Sequence, residues 1–529
     1  MKTSNQFNHS FHADFVEYLL NLVSSRKFAV HFNKVLKQLQ PFHVLFFVIG
    51  TFALLAPVVH YIPKDGWEIN GLSIRFLSEE NFFTPVKQVK KDITSIVADV
   101  DTSAIEENKQ LTHYNYSSGN MGAPVGGELS TESETEIFLS ESGRENLHRL
   151  FENLHQAANE KAKIHILHYG DSQIEGDRMT AYIRQMIQNQ FGGNGPGLVP
   201  AVNVYNTVAF KQSYSENFMR YTCFGGKKLK NKRYGAMGSA ARFIPELDSA
   251  GLASKTVEEE AWIEIAPNKS AYSRARYFNN VKMFYNSCIR PCGLKVYQNG
   301  KLIHEDSLNT DGKAHTLDLK FATTPGKLKF VFSSIASPTI SGFSLEGDFG
   351  VQVSNIGMRG SSGTIFGSMD QALLGKMYAE LNTKLIILQF GGNSVPSFRD
   401  SSSVRAYARY MKGQINTLKK LCPSAAILFI GPSDMSKLNN GVFVTYPLLP
   451  YCVSLLKKTV VENGAGYWDL YAAMGGQNSM PSWVEKGYAG KDYVHFSNRG
   501  ASIASQLFFD AFAAEYAKWQ KGASHTQPQ

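Results

Sequence analysis

The chain has 529 residues, 43% of them hydrophobic and 19% charged, with a formal net charge of +9. That length exceeds one typical domain and allows two with sizeable cores. The positive charge is spread along the chain with no nucleic-acid-binding motif beside it, so no nucleic-acid partner is expected.

The first pattern in chain order is Val44 to Ile62, VLFFVIGTFALLAPVVHYI, which lacks Asp, Glu, Lys and Arg. It is close to the roughly 20 residues that a membrane-spanning helix needs. Gly50 and Pro57 are tolerated in such helices, and Tyr61 and Trp67 suit an interface. A buried core helix is the alternative. Lys2, Arg26, Lys27, Lys34 and Lys37 outnumber Asp14 and Glu17 before this stretch, which puts residues 1–43 in the cytoplasm and everything after Ile62 outside it. A cleaved leader fits less well, because the segment ahead of the apolar run is long and no small-x-small site follows. The expected location is the cytoplasmic membrane, single-pass, with the bulk of the chain on the periplasmic or extracytoplasmic side.

Residues 63–140 read as a juxtamembrane region and linker, and the polar run from Asp101 to Glu136 has the composition of a tether. Ser142 and Glu145 then form a capping-box pattern ahead of Leu147, Leu150, Phe151 and Leu154 at helical spacing. The helix leads into KIHILHYG, a strand. Beyond Gly170-Asp171-Ser172, the residues Met179, Tyr182, Ile183, Met186 and Ile187 resume the helical period. Ser172 therefore stands at a strand-to-helix junction, as a displayed nucleophile or as a helix cap.

From about 206 to 350 the rhythm changes. AWIEIAP, VKMFYNS, GLKVYQNGKLIHE, HTLDLKF, GKLKFVFSS and FSLEGD are strand-length segments separated by turn signals such as Asn299-Gly300 and Asp311-Gly312. They predict a β-sandwich inserted into a loop of an α/β domain. KLIILQFGGN and AAILFIGPSD return to continuous apolar strands, with Val404, Tyr407, Met411, Ile415 and Leu418 marking a helix between them. Residues 141–205 and 351–520 thus form a doubly wound α/β domain around a parallel sheet, closed by a helix from Ala501 to Trp519 and followed by a tail at 521–529.

Five cysteines, Cys223, Cys288, Cys292, Cys422 and Cys452, leave at least one unpaired. Cys288 and Cys292 in CIRPC would suit a local disulfide, with connectivity open. No Cys or His spacing suits zinc, and no cofactor is implied.

In open α/β sheets, ligands bind beyond the carboxyl ends of the strands, where Ser172 would stand. A serine hydroxyl needs a base to take its proton, and His495 in DYVHFSNRG is the candidate. Asp492, three residues earlier, can orient the imidazole and stabilise its protonated form. Oxyanion donors are available from Gly360 in SNIGMRGSSG, through its backbone N–H, and from the Asn393 amide in QFGGNS. Asp177 and Glu175 read as first-turn carboxylates that complement a helix dipole. Asp434 is placed to line the pocket, Tyr467 and Trp468 read as core, and Lys227, Lys228, Lys230, Lys232 and Arg233 as a solvated loop.

Gly-Asp-Ser, Asn-x-x-x-x-Gly, Gly-Gly-Asn and Asp-x-x-His, in that order, resemble the four blocks of the SGNH (GDSL-type) hydrolases, which are serine esterases and acyl hydrolases. The resemblance covers about 145–205 and 350–520. It implies Ser172 as nucleophile, Asp492 and His495 as the rest of a triad, and Ser172 N–H, Gly360 and Asn393 as oxyanion donors. Gln173 replaces the leucine of the GDSL name, and Ser394 follows Asn393 where many members carry an acid. GDSQIEGD, FGGNGPGLVP and the strand-rich interval 206–350 further resemble the bacterial peptidoglycan O-acetylesterases, which carry an inserted domain similar to a carbohydrate-binding module. The implied activity is removal of O-acetyl groups from an extracytoplasmic polysaccharide such as peptidoglycan. Acetyl transfer beside a membrane O-acyltransferase, or glycan binding without catalysis, are the alternatives.

Overall fold

The structure is a computed structural model that describes residues 41–59, 67–69, 72–74, 88–98 and 123–524. The chain divides into two units, 1–87 and 88–529. In the first, Pro41–Val59 forms a helix without a charged residue, and Trp67–Ile69 pairs antiparallel with Leu72–Ile74. Of the expected membrane span 44–62, only 44–59 is described, about 24 Å of helix at 1.5 Å per residue. No helix of the described residues is long and apolar enough to cross a membrane.

The second unit is built on a six-stranded sheet. Its strands are β1 (Ile137–Phe138), β2 (Lys163–Gly170), β3 (Gly350–Gly357), β4 (Thr383–Gln389), β5 (Ala426–Ile430) and β6 (Gly466–Trp468), in the order β3-β2-β4-β5-β6-β1. All neighbours are parallel except β6 and β1. Six helices flank it: α1 (Glu141–Asn159), α2 (Thr180–Phe191), α3 (Gln371–Glu380), α4 (Ser401–Leu421), α5 (Leu449–Glu462) and α6 (Asn498–Ser524). Successive strand residues point to opposite faces. Ile164, Ile166, Leu385 and Ile387 accordingly pack with Leu150, Ile183 and Phe512 of α1, α2 and α6. Tyr169, Ile386 and Leu388 pack with Leu374, Met411 and Leu456 of α3, α4 and α5. This is the expected doubly wound arrangement, with both faces covered and continuous apolar strands as the result.

Between β2 and β3 the chain forms two antiparallel sheets. Thr339–Glu346 is central in one, flanked by Asn280–Asn286 and by Ser239–Arg242. Leu328–Ser334 is central in the other, between Cys292–Gln298 and Glu259–Pro267. Met283, Ile340 and Phe343 of the first sheet share a core with Ile263, Val296 and Phe330 of the second. Gly197–Val199, expected within the hydrolase part, pairs instead with Thr339–Glu346.

Several local expectations change. The side chain that caps α1 is Ser140, which accepts from Gly143 N, and not Ser142, because α1 already begins at Glu141. Residues 99–122 of the expected tether lie outside the described residues, whereas the part from Ala123 onward is docked. Ala123 O accepts from Arg274 Nη2 at 2.7 Å, and Val125 N and Gly126 N both donate to Asn189 O. Cys288 and Cys292 are buried free thiols that turn to the carbonyls of Arg290 and Gly293, so the local disulfide is not formed. Of the expected tail at 521–529, residues 521–524 belong to α6, and 525–529 lie outside the described residues.

Candidate active site

Strand β2 ends at Gly170, where a side chain would meet Ile174 Cδ1 at 2.8 Å and Gln389 O at 3.1 Å. Glycine lets the chain fold back at once. Ser172 emerges on the following turn, and a 3-10 turn at Glu175–Asp177 separates it from α2, whose N-cap is Met179. Ser172 is therefore displayed beyond the strand and caps no helix.

Its partner arrives from the far end of the chain. Ser172 Oγ lies 2.7 Å from His495 Nε2, and His495 Nδ1 lies 2.7 Å from Asp492 Oδ2. The other Asp492 oxygen accepts from Val494 N and His495 N, both at 3.1 Å, so one carboxylate fixes the loop and the ring together. Burial raises the Asp492 pKa, but the hydrogen bonds from His495 and Val494 outweigh it and leave this carboxyl below its ordinary value. Tyr493 between them sits at φ +58°, a left-handed conformation that costs a bulky residue energy. Its ring stacks on Phe443 at 3.6 Å, and its carbonyl accepts from Ser436 N, contacts that hold the conformation.

Gln173 contributes more than its sequence context suggested. Its Nε2 donates to Val494 O at 2.6 Å and to Ser433 Oγ at 3.1 Å, while its Oε1 accepts from Phe496 N at 3.3 Å. Both neighbours of His495 are thus clamped by the residue next to Ser172. The leucine typical of this position offers no such hydrogen bonds. From sequence Gln173 is only a departure from the pattern; its amide beside Ser172 was the available signal.

Asn393 lies on the turn after β4, and its Nδ2 donates to Ser361 O at 3.2 Å. It lines a cavity of about 190 Å³ together with Ser172, His495, Phe390, Met435 and Tyr446. Gly360 does not line this cavity. It occupies an exposed turn after β3 at φ +77°, with open space where a side chain would project. Asp171 is buried beneath the site and accepts from Gln173 N at 3.0 Å; burial pushes its carboxyl up to about 6, against that hydrogen bond and the nearby His495.

Other expected site neighbours are engaged elsewhere. Asp434 points away from the cavity, which its neighbours Ser433 and Met435 line, and accepts from Thr445 Oγ1 and Met480 N, each at 2.8 Å. Asp177 forms a buried two-point ion pair with Arg184, and Glu175 binds Arg359 through both oxygens. Neither lies in the first turn of α2, so they neutralise arginines rather than complement its dipole. Tyr467 and Trp468 are fully buried core residues, and the lysines of the 227–232 loop are exposed, as expected. Tyr446 had no sequence signal, because the hairpin formed by Ser436–Asn439 and Val442–Thr445 delivers it.

The arrangement supplies a hydroxyl, a ring nitrogen within hydrogen-bond reach to take its proton, and a carboxylate on the far nitrogen to hold that ring. Among the described residues, no cluster of His, Cys, Asp or Glu could hold a metal ion. No family profile matches the chain, and no curated protein matches it in sequence. Solved structures do. One described as a peptidoglycan O-acetylesterase is 19% identical, with 74% of this chain and 99% of that chain covered, at a TM-score of 0.55. In fold, the chain resembles a peptidoglycan O-acetylesterase. A GDSL-like lipase from Parabacteroides merdae (13% identity, covering 31% of this chain and 74% of that one) and an acetyl xylan esterase (13%, with 30% and 81% covered) also match. Both overlay at a TM-score of 0.24, too low to add to the comparison.

Proposed function

We propose that the chain is a membrane-anchored serine esterase that removes O-acetyl groups from an extracytoplasmic polysaccharide such as peptidoglycan. The observation that carries this reading is the 2.7 Å approach of Ser172 Oγ to His495 Nε2, with Asp492 on the opposite ring nitrogen. Ser172 Oγ attacks the acetyl carbonyl as His495 takes its proton. The oxyanion is held by the Ser172 N–H group and the Asn393 amide. His495 returns the proton to the departing sugar oxygen, then activates the water that frees acetate from Ser172.

The cavity favours a small acyl group. About 190 Å³ is below the range of pockets that enclose drug-sized ligands, and its apolar wall of Phe390, Met435 and Tyr446 is short. The anchor reading draws on the uncharged Pro41–Val59 helix, whose Phe42, Leu45, Phe46 and Phe47 are exposed, and on the basic segment before it. The antiparallel strands between β2 and β3 are assigned the part of an inserted glycan-binding domain, as the family resemblance implies.

Acetate release from O-acetylated peptidoglycan and from capsular glycans, by the wild type and by Ser172→Ala, tests the reading. Release by the wild type alone supports it, and equal release or none overturns it. The same assay with an added deacetylated glycan acceptor separates hydrolysis from transfer to a sugar hydroxyl beside a membrane acyltransferase. Sedimentation with membranes, lost on deleting residues 1–62, tests the anchor.

A further inference from the structure

Among the described residues, several buried or half-buried arginines have their guanidinium groups matched to carboxylate or hydrogen-bond partners. Arg184 pairs with Asp177, and Arg242 donates to Thr339 Oγ1 at 2.8 Å and to Ile244 O. Arg220 is half-buried and hydrogen-bonds Tyr205, but its Nε is buried without a hydrogen-bond partner. The groups acting on its charge are Tyr205, Cys223 and Tyr214, none of them a carboxylate, and its guanidinium rests 5.7 Å from the Phe224 ring. Desolvating a cation without a counter-charge is costly, so the position calls for an anion that arrives with a ligand.

Arg220 lines a cleft of about 50 Å³ with Tyr205, Asn203, Asn355, Gly357 and Glu175. Glu175 cannot serve as its counter-charge, because both carboxylate oxygens are taken by Arg359. The cleft adjoins the chemistry: Glu175 is three residues beyond Ser172, and Gly357 pairs in register with Gly170 at the end of β2. A guanidinium presents a planar fork of donors that matches a carboxylate. We propose that this cleft is a subsite for a carboxylate carried by the acetylated glycan, with Arg220 as the residue that selects acidic over neutral sugars. The proposal rests on the esterase reading and narrows its substrate class.

The test is binding by the full chain carrying Ser172→Ala, so that turnover does not enter. The probes are an O-acetylated acidic polysaccharide, the same polymer with its carboxylates reduced to alcohols, and free acetate. The acidic polymer should bind about tenfold or more tightly than its reduced form, the scale of one charge-assisted contact. Adding Arg220→Gln should erase that ratio, and Arg220→Lys should keep part of it. Arg220→Met, by removing an unmatched charge, should raise Tm by about 1–2 °C, whereas a structural role for the guanidinium would lower it. Equal affinity for the two polymers, a ratio that survives Arg220→Gln, or Arg220-dependent binding of free acetate alone overturns the subsite. Carboxylate selectivity in binding by a wild type that releases no acetate would sink the esterase and leave the subsite standing.

Discussion

The parallel sheet and the antiparallel sheet centred on Leu328–Ser334 solve burial in opposite ways. In β2 every residue after Lys163 is buried, whereas along Leu328–Ser334 buried and half-buried residues alternate. A strand covered on both faces has nowhere to show a reactive group except its end, and Ser172 follows such an end. The strands of that antiparallel sheet keep one face toward water, where Glu260, Trp262, Glu264 and Lys329 stand, and contribute no member of the Ser172, His495, Asp492 set. Chemistry and outer surface are thereby assigned to different parts of one unit.

The sharpest way to break this division is at Ser172. Ser172→Ala should lower kcat for a small acetyl ester by about 10⁴-fold or more, with Tm nearly unchanged. Retained turnover would remove the chemistry from the strand end. Phe330→Ala provides the reciprocal test. Its ring is fully buried 4.9 Å from Phe343, so truncation should cost about 3–5 kcal/mol in denaturant unfolding. Acetate release per folded molecule should hold at low temperature, and a parallel loss would show that the two parts are coupled.

Gln173→Leu sharpens the comparison within the site. Losing its three contacts to Val494, Phe496 and Ser433 should lower kcat about 10- to 100-fold with little change in KM, because the His495 loop and not the substrate is loosened. A rise in KM alone would show that Gln173 binds substrate instead.

The smallest effect concerns pH. Asp171 has a folded pKa of about 6 against an ordinary 3.8, so the native state binds its proton more tightly than the unfolded chain does. Its favourable contribution is present below pH 3.8 and is lost as pH rises through about 6. Asp171→Asn, which keeps an acceptor for Gln173 N, should flatten that slope and stabilise the protein by about 1–3 kcal/mol at pH 7. Unfolding curves between pH 4 and 7 measure it; an unchanged slope would mean that another group carries the dependence.

Much of this was legible before any coordinates. Apolar runs such as ILHYG and LIILQ mark strands buried on both sides, and the 3.6-residue spacing from Val404 to Leu418 matches the buried stripe of α4. That Ser172, His495 and Asp492 would meet was readable because Ser172 and Asp492-x-x-His495 sit in short fixed spacings. What escaped depended on distant partners. Nothing near Gln173 in the chain shows that Val494 and Phe496 will lie across from it. Polarity around Ala123 suggested a tether because Arg274, its partner 151 residues away, is invisible locally. The same applies to Asp434, whose direction is set by Thr445 and Met480.

The segment 88–98 has a practical implication for anyone cutting the second unit free. Gln88 meets Phe443 like an added strand residue, its Oε1 accepting from Phe443 N at 2.9 Å and its Nε2 donating to Phe443 O. Lys91 ties the same segment to Asn478 and Ser482. Phe443 in turn supports Tyr493 beside His495. A fragment started at 123 would look complete by its sheet and helices, yet it would strip the outer prop from that hairpin; one started ahead of 88 would keep it.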